Sequence, residues 1–327
     1  MASEAKGRGF DPRQPHQLNM GGRLKWPALT TMPCSLGTPV PSPRYSLVIA
    51  TLDDCGDLGN CLASLVALNP GPEFEVIVVD QNDDTQLIGL IAQFSKKLNL
   101  VHEHVPYHNA SRARNSGARL ARGEWLAFPD DDCELMPDVL NEAERLTVDS
   151  RVMVVTGQTI DPAGVPNVLR WRQEPQEFTC RTMFGCLTEA TLFVRRDIFL
   201  AVQGFDQRFG PGGTFPAAEG IDLMNRLFTR FGDGRACYSP RIRMRHPTKI
   251  PPWNAWAVGR FHRYALGDGA LIAKNPQSHM LSWGLRTAVT ATLQALTFRG
   301  WRSLAYAARL TGLFAGFIAF HMKSERN

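Results

Sequence analysis

At 327 residues, 44% of them hydrophobic and 20% charged, the chain can bury a full core, as one large domain or one domain with appendages. Its charge is split: residues 1–233 hold 22 Lys and Arg against 29 Asp and Glu, a net of −7, while residues 234–327 hold 14 against 2, a net of +12. A C-terminal part that basic faces something anionic, such as lipid headgroups, nucleic acid or a phosphorylated substrate.

Residues 1–43 are rich in Pro, Gly and Ser without sustained periodicity, which predicts a disordered or loosely docked leader. The opening MASEAKGRGFDPRQPHQLNMGG contains no apolar stretch of the signal-peptide kind. Seven cysteines, odd in number and with no CxxC pair, fit free thiols in a reducing compartment and exclude a disulfide framework or a zinc site. A cytoplasmic protein is therefore expected.

Order begins at YSLVIATLDD, a short β-rich run that meets a polar loop, followed by a helix over Asp57–Leu68. EFEVIVVDQNDD is a second apolar run ending in acids. LIGLIAQFSKKL then reads as a helix and LVHEHV as a third strand. SRARNSGARLARG reads as a helix closed by Gly123, and EWLAFPDDD as a fourth strand. Strands that alternate with helices, and that are apolar throughout instead of every second residue, predict an α/β fold with a mostly parallel sheet flanked by helices. Further on, VMVVTGQTI and EATLFVRRDIF read as strands, the second leading into a short helix. GFDQRFGPGG is a turn-rich loop, AEGIDLMNRLFTRFG a helix, and ACYSPRIRMRHP a strand with alternating arginines. From about residue 253 the chain is aromatic, basic and helical, so the division expected is a leader at 1–43, a catalytic domain at 44–250 and a basic helical extension at 251–327.

Strands one, two and four all end in aspartates: Asp53 with Asp54, Asp80, and Asp130 to Asp132. Ligands of open α/β sheets bind beyond the carboxyl ends of the strands. Clustered carboxylates repel one another and lose solvation in a cleft, so they persist where a cation neutralises them. Mg²⁺ or Mn²⁺ takes one or two carboxylates and completes its shell with waters and substrate phosphates. The pattern points to a metal-bound phosphorylated substrate, a nucleotide in particular. A plainer role, capping the next helix, suffices for Glu134 and Asp138.

YSLVIATLDD, EVIVVDQNDD, NASRARNSGARLARGEWLAFPDDDC and GFDQRFGPGG, in this order, resemble the family-two glycosyltransferases with the GT-A fold, over roughly residues 44–275. The resemblance implies a Rossmann-like nucleotide-diphospho-sugar transferase, a divalent metal (Mn²⁺ or Mg²⁺), a nucleotide-sugar donor with a UDP-sugar favoured, and inversion at the anomeric carbon. By that likeness Thr51 and Asp53 line the nucleotide pocket and Asp80 accepts from the base. Arg114 and Asn115 match the ARN stretch on the helix before the metal strand, with Arg114 meeting base or phosphate. Asp130 and Asp132 fit the family's Asp-x-Asp metal motif, Asp132 as the direct ligand, and Asp131 faces sugar or ribose. Cys133 stands where many members have a further Asp. His246, in RMRHP, matches a histidine that some GT-A enzymes use as a metal or diphosphate contact.

The catalytic base must be a carboxylate within hydrogen-bond reach of the attacking hydroxyl. The family supplies it from a Glu-Asp pair opening a helix, and the matching stretch here is AEGIDL, with Gly220 in place of the aspartate. The candidates are Glu219, which is favoured because a helix N-terminus faces the cleft, and Asp222, which could instead pair with Arg226. Both could also serve only to stabilise the helix start.

In the C-terminal part, the charge-free run 310–320 is shorter than the roughly 20 residues of a spanning helix. Arg299, Arg302 and Arg309 recur at helical spacing, with Trp301, Leu304 and Ala308 elsewhere on the turn, which predicts a helix lying on an anionic membrane surface. A helix pair packed on the catalytic domain satisfies the same pattern. RFHRYALGDGALIAK resembles a segment that follows the core in bacterial family members and shapes the acceptor site. The expectation is an enzyme peripheral on the inner face of the cell membrane that moves a sugar to a saccharide or lipid-linked acceptor in cell-surface polysaccharide or glycolipid synthesis. A metal-dependent nucleotidyltransferase would bring a Gly-rich basic loop after strand one, where TLDDCGDLGN is acidic. A non-catalytic nucleotide-sugar-binding protein is conceivable through Gly220. Nucleic acid is not an expected partner, because the arginines are interleaved with long aliphatic runs.

Overall fold

A computed structural model describes residues 42–53, 55–232 and 235–324; most of the leader expected at 1–43 lies outside these residues. In chain order the first half runs β1 (Tyr45–Thr51), α1 (Cys55–Val66), β2 (Phe74–Asp80), α2 (Ile88–Phe94), β3 (Leu100–His104), α3 (Ala110–Leu120), β4 (Trp125–Ala127), β5 (Glu134–Leu135) and α4 (Val139–Thr147). The second half runs β6 (Val152–Ile160), β7 (Gln176–Phe178), β8 (Phe193–Arg195), α5 (Arg196–Ala201), α6 (Glu219–Phe231), β9 (Arg235–Arg245), α7 (Ala255–Lys274), α8 (Ser278–Ala295) and α9 (Trp301–Ser324). A 3₁₀ turn at Glu189–Thr191 precedes β8, so EATLFVRRDIF is a turn, a three-residue strand and a helix.

The strands form one sheet in the order β3-β2-β1-β4-β8-β6-β9-β5, with β7 also paired to β9. The first four are parallel, as helical crossovers require. β8 then enters antiparallel to both β4 and β6, so the sheet is mixed.

Side chains alternate across the sheet, and both faces are covered. Leu47, Ile49, Val76 and Val78 pack with Leu58 and Leu62 of α1 and Leu140 of α4. Val48, Ile77 and Val79 pack on the other face with α3, α5 and α6. Two-sided burial is why β1 and β2 read as continuous apolar runs; each such side chain contributes about 1.5–3 kcal/mol. α3 lies so close to the sheet that a Cβ on Gly117 would stand 2.4 Å from Val48 Cγ1.

The segment after residue 250 is not held apart by its composition. Ala270 and Leu271 of α7 and Met280 of α8 are buried in the same core as β1 and α6. α9 contains a 22-residue stretch, Trp301–Met322, of mean hydropathy 1.4, long and apolar enough by length and composition to cross a membrane. That exceeds the charge-free run read from the sequence because arginines are carried within the helix: Arg309 donates to Asp268 of α7 (3.1 Å) and Arg302 to Gln294 of α8 (3.1 Å).

Candidate active site

β4 stops at Ala127, and Phe128, fully buried against Phe199 and Phe205, anchors the chain before the acids begin. Asp130, Asp131 and Asp132 therefore stand in the loop beyond the strand, not on it. They open on a cleft of about 570 Å³ whose walls also include Arg114, Glu189, Glu219 and His246. A second cleft of about 540 Å³ shares Asp130, Glu189 and His246 and extends over Trp253, Phe261 and Tyr264.

Arg114 is the cation at the centre. It is 5% exposed; Nη2 donates to Asp130 Oδ1 (2.5 Å) and Nη1 to Glu219 Oε1 (3.2 Å). Burial works against its charge, but Asp130, Glu219 and Glu189 outweigh that and keep the guanidinium protonated. Burial, with Glu189 alongside, pushes Glu219 up to about 7 against the pull of Arg114. Asp131 is raised to about 6 by burial, despite a lowering contact from Thr51, with Asp130 and Asp132 adding their repulsion. The like charges read from DDD are thus real neighbours, offset by the buried Arg114 at Asp130 and by Lys249 at Asp132.

Asp130, Asp132, Cys133 and His246 each present a ligand atom within 4.8 Å of one another. His246 Nε2 lies 3.7 Å from Asp132 Oδ1, and its Nδ1 is buried without a hydrogen-bond partner, leaving the ring a nitrogen to offer. Burial raises the Cys133 thiol well above its ordinary value, so it presents a neutral sulfur. Two carboxylates and an imidazole are a donor set suited to Mn²⁺ or Mg²⁺. Lys249 Nζ donates to Asp132 Oδ2 (2.7 Å), a residue that sequence reasoning missed although it lies three positions after His246.

The other predicted residues fall in three places. Thr51 is 1% exposed and lies against Asp131. Asp53 and Asp80 meet through Asn82: its side-chain Oδ1 accepts from Asp53 N (2.7 Å), while Asp80 Oδ1 accepts from both Asn82 nitrogens (2.9 Å each). Asp80 Oδ2 faces His102 Nε2 at 3.0 Å, and Asp53 is held at φ 74°. Asn115 is committed elsewhere, since its amide donates to Phe205 O and accepts from Phe205 N (2.8 Å each). Asp222 is fully buried, bound to Lys274 (2.5 Å) and Arg226 (2.8 Å), one turn below the cleft.

The start of α6 explains Gly220. Ala218 before it is left-handed (φ 75°) and supplies no side-chain cap. Glu189, arriving from the 3₁₀ turn, accepts instead from Gly220 N through Oε1 (2.7 Å). A Cβ on residue 220 would lie 2.3 Å from that oxygen, so a side chain there would push the Glu189 carboxylate off this position. The missing aspartate is plain in the sequence, whereas the acid that fills its space lies 31 residues upstream.

Residues 46–204 match the model of the family described as Glycosyl transferase family 2. Poly(ribitol-phosphate) beta-N-acetylglucosaminyltransferase TarS of Staphylococcus aureus (strain Mu50) is 25% identical over 138 residues, 41% of this chain and 24% of TarS. The chain thus matches about a quarter of that relative's length. The succinoglycan biosynthesis protein ExoM of Rhizobium meliloti (strain 1021) is 25% identical over 266 residues, covering 74% of this chain and 81% of ExoM. Among solved structures, TarS 1-349 in complex with UDP-GlcNAc superposes with a TM-score of 0.53 at 15% identity, over 86% of this chain and 92% of that one. The mannosyltransferase PcManGT of Pyrobaculum calidifontis, in complex with GDP-Man and Mn²⁺, gives 0.56 at 17% identity over 88% of each. At these identities the superpositions speak to the fold alone. Residues 46–204 thus form a domain of glycosyl transferase family 2, and the chain has the GT-A fold.

Proposed function

We propose that this protein transfers a sugar from a nucleotide-sugar, a UDP-sugar in the first instance, to a hydroxyl of a saccharide or lipid-linked acceptor, with inversion at the anomeric carbon. The observation that carries the reading is the convergence of Asp130, Asp132 and His246 on one point of a cleft whose inner wall is the buried Arg114. TarS with UDP-GlcNAc and PcManGT with GDP-Man and Mn²⁺ support a nucleotide-sugar and a divalent ion for this chain as well. ExoM and TarS support a place in cell-surface polysaccharide or glycolipid synthesis.

In this reading Asp130, Asp132 and His246 hold Mn²⁺ or Mg²⁺, which when bound offsets charge on the departing diphosphate. Arg114 orients Asp130 and adds fixed positive charge to the same side. Asp53 and Asp80, braced by Asn82, border the nucleotide end beside Thr51, and Asp131 faces the sugar. The acceptor enters from the second cleft, where Trp253, Phe261 and Tyr264 offer flat apolar faces to a saccharide. The proton of its hydroxyl passes to a carboxylate beside the start of α6.

The exposed apolar residues of the last two helices support peripheral contact with the anionic inner face of a membrane. α8 exposes Leu281, Leu285, Val289 and Leu293 at four-residue spacing, and α9 exposes Trp301, Leu304, Phe314 and Phe317.

Thermal-shift measurements with UDP-glucose, UDP-N-acetylglucosamine and GDP-mannose, with and without Mn²⁺, test the donor side. A metal-dependent rise in Tm with one donor, followed by nucleoside diphosphate release, is expected. Asp132→Ala should abolish both. Binding without any effect of metal, or undiminished release by Asp132→Ala, would overturn the metal assignment.

A further inference from the structure

The proposed reaction needs a proton acceptor, and the aspartate expected beside Glu219 is absent. We propose that Glu189, from the 3₁₀ turn before β8, is that proton acceptor, standing in space that Gly220 leaves open; the inference rests on the glycosyltransferase reading.

Position separates the three acids near α6. Asp222 is fully buried and neutralised by Lys274 and Arg226. Glu219 is 5% exposed, and its Oε1 accepts from Arg114, which is bound in turn to Asp130; it belongs to the charge network on the donor side. Glu189 is more open and lines both clefts, whereas Glu219 lines only the first. A hydroxyl arriving over Trp253 and Tyr264 and attacking a sugar held near Asp130 must pass the boundary between the clefts, where Glu189 stands.

The glycine and the glutamate are mutually dependent. Glu189 Oε1 is fixed by Gly220 N–H at 2.7 Å, which orients the carboxylate and leaves Oε2 to take a proton. Any side chain at 220 would begin 2.3 Å from Oε1 and 2.8 Å from Cδ. An acid at 220 would therefore displace the Glu189 carboxylate from this position, as expected when one replaces the other. Glu219 then acts as a positioning residue for Arg114.

The step balances without a further reactant. The acceptor O–H proton moves to Glu189 Oε2 as the acceptor oxygen bonds to the anomeric carbon. The bond from that carbon to the diphosphate oxygen breaks, and its electron pair leaves with the nucleoside diphosphate. The protonated Glu189 returns its proton to solvent.

Glu189 also caps α6, so the test must separate a cap from a base. Glu189→Gln keeps a carbonyl oxygen for Gly220 N–H but cannot accept a proton; Glu189→Ala loses both. UDP or GDP release is measured with the donor identified above, first with water as acceptor, together with donor affinity by calorimetry and urea unfolding. Glu189→Gln should lower kcat 10²–10⁴-fold, the range of general-base catalysis, with donor Kd within twofold and an unchanged urea midpoint. Glu189→Ala should show the same kcat and a lower midpoint. Adding Gly220→Asp to Glu189→Ala should recover at least tenfold in kcat. A kcat within threefold of wild type in Glu189→Gln would overturn the assignment whatever Glu189→Ala does. A wild-type protein that binds no nucleotide-sugar with Mn²⁺ would overturn the underlying reading as well, so the two failures are distinct.

Discussion

Lys274, at the end of α7, ties the basic C-terminal part to the catalytic core, and replacing it by methionine should be costly. Its Nζ donates to Asp222 Oδ1 (2.5 Å) and Asp206 Oδ2 (2.8 Å), and its side chain is 17% exposed. Removing one partner of a buried ion pair costs about 3–5 kcal/mol, because the remaining charge is stranded. Here Asp222 keeps Arg226 and Asp206 keeps Arg208 (2.6 Å), so the lower end applies, about 3 kcal/mol. For a domain of this size that corresponds to a fall in Tm of roughly 6–12 °C.

Urea unfolding of wild type, Lys274→Met, Asp222→Asn and the double variant measures the effect and the coupling. The double variant should be less destabilised than the sum of the singles by about 2 kcal/mol. Acid sharpens the test. Burial works to raise Asp206, but hydrogen bonds from Arg208 and Lys274 outweigh it and hold the carboxyl well below the usual range. A depressed carboxylate stabilises the fold above its unfolded pKa of about 4 and loses that contribution as pH falls through the folded value. The gap between wild type and Lys274→Met should therefore narrow below about pH 4. A loss under about 1 kcal/mol at pH 7, or a gap that widens in acid, would refute the reasoning. Asp222→Asn should leave kcat per folded molecule near wild type; selective loss of kcat would return Asp222 to the chemistry.

Lys249→Met should tighten Mn²⁺ binding about fivefold by calorimetry, since a half-exposed lysine pair worth about 1 kcal/mol no longer competes for Asp132. Asn115→Ala should lower stability by about 2–3 kcal/mol in urea, with donor affinity of the folded fraction unchanged, because both backbone groups of Phe205 lose their partner. Gly117→Ala should cost about 2 kcal/mol by overpacking against Val48, measured as a shift in urea midpoint at constant m-value.

The parallel half of the sheet was legible because period and connectivity fix it locally. An apolar run followed by a helix and another apolar run can pair only through a crossover, and its carboxyl ends then share one edge. Connectivity alone therefore brings Asp53, Asp80 and Asp130 to Asp132 to that edge of the fold. It says nothing of β8, which enters antiparallel between β4 and β6. Three residues of strand carry too little pattern to declare a direction. The pairing of Asp222 with Arg226 one turn on was legible, but the role of Asn115 and the second partner of Asp222 were hidden for a different reason. Their partners, Phe205 and Lys274, lie 90 and 52 residues away, and no local pattern marks them.

Glu189 shows what kind of signal such reading can still use. Nothing in TEATLF marks the glutamate, and its type and spacing suit a solvated turn. The informative residue is Gly220, where a small side chain replaces a charged one at the opening of a helix. Helix N-termini leave N–H groups that need acceptors. With Ala218 left-handed and Gly220 bare, α6 supplies no side-chain oxygen of its own at these two positions, so an acceptor has to come from another element. Because the substitution also clears the volume a side chain would fill, the incoming group can be as large as a carboxylate and can sit against the backbone. A missing acid at a site that needs one, together with a bare helix start, thus amounts to a demand for an acid from elsewhere in the chain. In the structure that demand is met by Glu189 at 2.7 Å, on the boundary of the two clefts.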